Sequence, residues 1–177
     1  RTRHNAGFWW LDAVAADAGL RLGYDAKIGC ETARGSVAGQ PVLVAKPQKY
    51  MNASGLPVRQ LLSYYKVEPE GMLVAHDDLD LPAGTARLKF DGGHGGQNGL
   101  RDIIAHLGHG RFHRLRIGIG HPGRKDQVTS WVLGRPGKAD EAAIQDAIVA
   151  ARAVLPQVLT GRISDAMKTL HTPRPAG

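Results

Sequence analysis

Cysteine is nearly absent from the 177 residues, Cys30 being the only one. One thiol forms no internal disulfide, so the fold must rest on its core, and such usage fits a reducing cytoplasm. Cys30 itself reads as a small, half-buried strand residue. Apolar stretches are broken by charge within about ten residues, too short for a bilayer span, so no membrane is expected. No charged-then-apolar segment opens the sequence, which sets the expectation of a chain without a signal peptide. Internal repeats, low-complexity tracts and any composition shift marking a second domain are also missing. A single domain covering residues 1–177 is therefore expected.

Acidic residues are in deficit. Lys and Arg number 23 against 16 Asp and Glu, a net charge of +7. A basic surplus of this size attracts polyanions and speeds their encounter, with nucleic acid the leading candidate partner. Three signatures are lacking as well. Without G-x-S-x-G, a Walker A loop or G-x-G-x-x-G, the serine-hydrolase, NTPase and dinucleotide readings lose their support. His94-Gly95-Gly96 resembles a lipase oxyanion loop, but no nucleophile elbow accompanies it.

What is present alternates helix and strand. Phe8, Leu11, Ala15 and Ala18 recur at helical spacing over residues 6–20, with Gly19 as a stop and Trp9 and Trp10 as packing residues. Strands are predicted over 27–38 and 41–46 around a Gly39-Gln40 hairpin turn. The Asn52-Ala53-Ser54 run offers capping oxygens to a helix reaching about Lys66, with Pro57 in its first turns. Further strands are predicted over 72–76, 85–90 and 112–119, and helices over 97–107, 139–159 and 163–170. Interleaved elements of this kind predict an α/β fold: a single-domain, three-layer α/β/α arrangement around a mixed central sheet.

Chemistry-bearing residues gather where strands end and helices begin: His4 and Asn5, Asn52, His76 and Asp77, His94 and Asn98. Ligands of α/β sheets bind in such places. A metal cluster over His76, Asp77, Asp78 and Asp80 is disfavoured, because neighbours on one strand end alternate in direction. What remains is a histidine–carboxylate pair with side-chain amides. A neutral imidazole takes a proton from water, and an aspartate on its other nitrogen fixes the tautomer and stabilises the imidazolium. These parts serve hydrolysis of an activated acyl bond, an ester better than an amide.

Five long segments carry a resemblance. They are Thr2-Arg3-His4-Asn5-Ala6-Gly7, Lys46-Pro47-x-x-Tyr50-Met51-Asn52-x-Ser54-Gly55, the run from Val74 through Asp77 to Pro82, Gly92-Gly93-His94-Gly95-Gly96-Gln97-Asn98-Gly99-Leu100, and Phe112 through Arg116 to Pro122. Together they resemble the ordered signatures of bacterial peptidyl-tRNA hydrolases. The resemblance implies His4 as the base that activates water and Asp77 as its supporting acid. It implies that Asn52 and Asn98 contact substrate near the scissile ester and the 3′ nucleotide, with Tyr50 and Met51 lining the same crevice. Lys89 and Arg116 are implied as a clamp on tRNA phosphate, and residues 121–133 as a lid. Peptidyl-tRNA as substrate, no metal, no organic cofactor, a monomer and a cytoplasmic location are implied too. Members of the family carry an additional strand and a Gly-Asn-Pro-Gly turn ahead of the Arg-His-Asn segment. With that piece not among these residues, a sheet short of one strand is expected. The alternative is a non-catalytic RNA-binding module on the same scaffold, with Lys89, Arg114, Arg116, Arg124 and Lys125 as phosphate contacts.

Overall fold

A tight two-residue hairpin organises the first sheet of the computed structural model, which describes residues 1–47 and 53–173. Strand β2 (Cys30–Val37) pairs antiparallel with β3 (Gln40–Pro47), Val37 standing opposite Gln40. The turn is therefore Ala38-Gly39, one residue earlier than the sequence predicts. Both residues have positive φ, 50° and 77°, as a twist-matched two-residue turn demands. A short strand that the sequence pattern does not reveal, β1 (Gly23–Asp25), adds to the other edge of β2. Three residues are too few for a readable alternation. Cys30, at the start of β2, is fully buried rather than half-buried. Burial, and then the charge of Asp25, push its thiol up to about 11, so it is unreactive at neutral pH.

The second sheet has the order β4 (Leu73–Asp78), β6 (His113–Gly118), β5 (Ala86–Phe90). The N–H groups of His113 and Ile119 bond the carbonyls of Met72 and Asp78, numbers rising together, so β6 runs parallel to β4. Gly118 bonds Thr85 and Asp91 bonds Phe112, numbers running oppositely, so β6 is antiparallel to β5. The α/β class and the mixed sheet are thus as expected, with the strands divided between two three-stranded sheets.

The helices are α1 (Ala6–Asp17), α2 (Gly55–Tyr64), α3 (Asn98–Leu107), α4 (Val128–Leu133), α5 (Lys138–Leu159) and α6 (Ile163–His171). The chain separates into two compact units. In the first (Arg1–Ala13, Ala75–Lys89, Leu115–Gly177), the interior is built from Trp9 and Trp10, from Leu115, Ile117 and Ile119, and from one stripe of α5. Within this unit the buried face of α1 is that of Ala6, Trp9 and Trp10, while Phe8 and Leu11 of the expected stripe are only half-buried; Ala15, on the stretch of α1 in the second unit, is buried as expected. Small Ala6 and Gly7 bring that face close to its neighbours, which apolar spacing alone does not convey. Helix α5 is long and apolar enough to cross a membrane by length and composition, which corrects the expectation that no stretch qualifies. Ile144, Ala147, Ile148, Ala151, Val154 and Leu155 are nevertheless buried along it, the stripe of a core helix.

In the second unit (Val14–Val74, Phe90–Arg114), Val58 of α2 clusters with Leu100 and Ile103 of α3 and with Phe112. Ser54 precedes α2 but makes no side-chain cap bond. The first helical N–H, from Gly55, instead donates to the Asp102 carboxylate of α3 at 2.6 Å. Gln97 caps α3 by accepting from the Leu100 N–H at 2.7 Å.

Candidate active site

The first unit holds the best-formed polar constellation, and one glycine makes it possible. Gly7 lies against β4 so closely that a Cβ there would stand 2.4 Å from the Ala75 carbonyl oxygen and 3.2 Å from the His76 Cα. Only the bare backbone of glycine permits that approach. It brings the short 3-10 turn Arg3–Asn5, just ahead of α1, to the end of β4 where Asp77 stands.

The result is a direct bond between two residues 73 positions apart: His4 Nδ1 lies 3.0 Å from Asp77 Oδ2. A carboxylate only accepts, so Nδ1 carries the proton and Nε2 keeps its lone pair. The Asp77 side chain is 4% exposed and that of His4 20%. The acid is thus shut away while the imidazole retains an edge toward solvent. The bond to Asp77 raises the His4 pKa above its ordinary 6.5, burial opposes the rise, and the Asp77 charge adds to it. Next to Asp77, the buried His76 donates from Nδ1 to the Asp77 carbonyl at 2.8 Å, securing the strand end.

Asp78, the next residue, faces a different partner. Its Oδ2 accepts from Arg116 Nε at 2.7 Å, and its Oδ1 from the Asp80 N–H at 2.8 Å. Among the described residues, the η nitrogens of Arg116 make no further protein hydrogen bond. The register of β5 on β6 sets Arg116 opposite Arg87, and Lys89 follows two residues along the same face. The pKa of His171 registers this crowding: burial lowers it first, then the positive charges of Arg87 and Arg116. Arg87 and exposed Lys89 with Arg116 form a basic strip, of which sequence reasoning missed Arg87. Its signal was the alternation Arg87-x-Lys89 along one strand face.

Several other expectations are revised. Arg114 is not a phosphate contact, being 2% exposed. Its guanidinium donates to the Gly93 carbonyl, to Gly92 O at 2.6 Å and to Gly110 O at 2.9 Å, and so ties down the glycine loop ahead of α3. Arg124 is exposed but paired with Asp126 at 3.1 Å, and Lys125 lies in a 3-10 turn before α4. His171 Nε2 accepts from the Leu88 N–H at 3.0 Å. His106 donates to the Asp102 carbonyl at 2.9 Å, and His109 accepts from the Arg111 N–H at 3.0 Å. His94 accepts from the Gly96 N–H at 2.9 Å, a bond internal to the loop.

Asn98, an exposed residue, opens α3 in the second unit. Tyr50, Met51 and Asn52 lie outside the described residues. In sequence, Asn52 falls three positions before Gly55, whose N–H the Asp102 carboxylate holds.

Comparison with known proteins identifies relatives of the whole chain. The family described as Peptidyl-tRNA hydrolase matches residues 1–176. A peptidyl-tRNA hydrolase of Xanthomonas oryzae pv. oryzae is 59% identical over 176 residues, covering 99% of this chain and 91% of the relative. One from Stenotrophomonas maltophilia is 59% identical over 174 residues, 98% and 91% of the two chains. Among solved structures, the peptidyl-tRNA hydrolase of Acinetobacter baumannii superposes with a TM-score of 0.96 at 42% identity, covering 99% of this chain and 89% of that one. The chain belongs to the peptidyl-tRNA hydrolase family.

Proposed function

We propose that this protein hydrolyses the ester joining a peptide, or an N-blocked aminoacyl group, to the 3′ ribose of tRNA, with His4 as general base. The observation that carries the reading is the 3.0 Å bond from His4 Nδ1 to buried Asp77. It leaves Nε2 as the acceptor, in a side chain that solvent still reaches. Water bound at Nε2 gives up a proton as its oxygen attacks the ester carbonyl. The carboxylate of Asp77 stabilises the imidazolium so formed. As the tetrahedral species collapses, the carbon–oxygen bond to the ribose breaks. The imidazolium returns its proton to the departing ribose oxygen, releasing the peptide acid and free tRNA. No covalent acyl-enzyme intervenes. The reading calls for no metal and no organic cofactor, since an imidazole and water supply the nucleophile. It places a monomer in the cytoplasm, where peptidyl-tRNA is made.

Asn52, Asn98, Tyr50 and Met51 keep the substrate-binding roles implied by the family signatures in which they stand. The strip of Arg87, Lys89 and Arg116 is read as the seat of tRNA phosphate, and residues 121–133, including α4, as the lid. A basic chain of net charge +7 suits that substrate. The test is deacylation of N-acetyl-aminoacyl-tRNA by the parent and by His4→Ala. The expected result is a loss of about a hundredfold or more in kcat, with tRNA affinity retained. Equal, negligible rates in both would refute the enzyme and leave an RNA-binding module.

A further inference from the structure

Arg3, the residue before His4, is 7% exposed, and burial of a cation is costly unless its surroundings answer for it. Its carboxylate partner does little, since Asp140 lies 3.9 Å away with a 43%-exposed side chain. Among the described residues, the close partner of the Arg3 side chain is Trp131 of α4. Arg3 Nη1 donates to the Trp131 carbonyl at 3.1 Å, and the guanidinium lies 3.6 Å from the centre of the Trp131 ring. The main chain joins in: the Arg3 N–H donates to the Gly134 carbonyl at 3.1 Å. Thr2, which precedes the 3-10 turn bearing His4, gives it no side-chain cap. That turn therefore takes the partner for its first N–H from the end of α4.

Helix α4 depends on the same joint. None of its residues is buried, and Leu133 is 58% exposed. An element with so little burial is held by its polar ties and opens readily when they go. Besides Arg3, its anchor is the Trp131 Nε1–H, which donates to the Gly120 carbonyl at 2.9 Å. An open surface depression lined by Arg3, Pro122, Gln127, Ser130 and Trp131 adjoins the joint.

We propose that Arg3 is a positioning residue. Clasped by the ring and carbonyl of Trp131, it fixes the turn that aims His4 at Asp77, and does so only while α4 is docked. The position of the lid helix is thereby passed to the base. This rests on the hydrolase reading above and adds to it a residue that touches neither water nor ester.

The test compares the parent with Arg3→Lys, which keeps the charge but not the flat fork and stacking face, and Arg3→Gln. Trp131→Phe keeps a ring and loses only the tie to Gly120. Single-turnover deacylation of N-acetyl-aminoacyl-tRNA is measured against pH, alongside amide exchange by mass spectrometry. Both Arg3 variants are expected to lose about tenfold in kcat with KM within about twofold. Amides 128–134 should exchange about tenfold faster while those of β6 and α5 stay protected. The acid limb of the rate profile should move to lower pH, because the bond to Asp77 loosens. Loss of the Arg3 charge alone would move the limb upward, and that outcome overturns the proposal. A normal kcat in both Arg3 variants also overturns it, as does faster exchange spread over the whole chain, which marks a residue needed only for folding. Trp131→Phe should speed exchange at 128–134 with a smaller loss in kcat than Arg3→Gln; a larger loss contradicts the leading role of Arg3. If the parent fails to hydrolyse the ester, the functional reading falls. The joint is then decided by exchange at 128–134 and by NMR titration of the His4 ring, unchanged values in Arg3→Gln overturning it.

Discussion

His4 and Asp77 define the residue scale, and their bond has a consequence in pH. Asp77 stabilises the charged form of the imidazole and so raises its pKa above 6.5. In the proposed mechanism the neutral form is the base, so activity should be lost as pH falls through the raised value and recovered above it. Replacing Asp77 by Asn removes the carboxylate, so the acid limb of kcat/KM should shift to lower pH. The plateau rate should fall by about 10²- to 10⁴-fold, because the amide supports the wrong tautomer as readily as the right one. The pH–rate profiles of the two proteins check this, and coincident limbs would speak against the pair. The sequence made both residues legible through the segments that surround them. It did not disclose Arg114 as an interior residue. A strand alternating basic and apolar residues reads as half-exposed, and nothing local reveals that three carbonyls of the glycine loop region wait for that guanidinium.

Among elements, the crossing of α1 over β4 sets the geometry of the site. Gly7 allows it, and a methyl group there meets backbone atoms that cannot swing aside. Gly7→Ala should cost about 1–3 kcal/mol of stability from overpacking. Any shift of the helix start is passed on to His4, so activity should drop about tenfold or more. Thermal unfolding and deacylation rates measure the two effects, and an unaltered rate in a folded variant would show that the crossing does not aim the base. Most helices and strands were readable from period and punctuation: α3, α5, α6 and β4 through β6 fall within a residue or two of expectation. Elements that answer to distant partners were not. The cap of α2 comes from Asp102, 47 positions from Gly55. The docking of α4 comes from Arg3, 128 positions from Trp131. No window of sequence contains either pair.

For the whole molecule, charge is the property that sequence declared first and structure made specific. The surplus of +7 is a bulk quantity; the strip of Arg87, Lys89 and Arg116 is where the proposed function seats tRNA phosphate. Removing one phosphate-binding cation should flatten the slope of log affinity against log salt by about one unit or slightly less. Arg116→Ala is thus expected to weaken tRNA binding at low salt and to reduce that slope. A filter-binding series over salt concentration tests this, and an unchanged slope means that Arg116 does not hold phosphate. The family relation accounts for 89–91% of the length of the relatives compared, and over that span the fold agrees closely. The division of strands into two three-stranded sheets, by contrast, was not legible, because strand order depends on which edges meet and not on where strands lie in the sequence. The most direct measurement of the account is the single-turnover rate of N-acetyl-aminoacyl-tRNA hydrolysis across pH. A rise with a midpoint above 6.5, absent from His4→Ala, is the predicted result; a rate independent of pH through that range would contradict it.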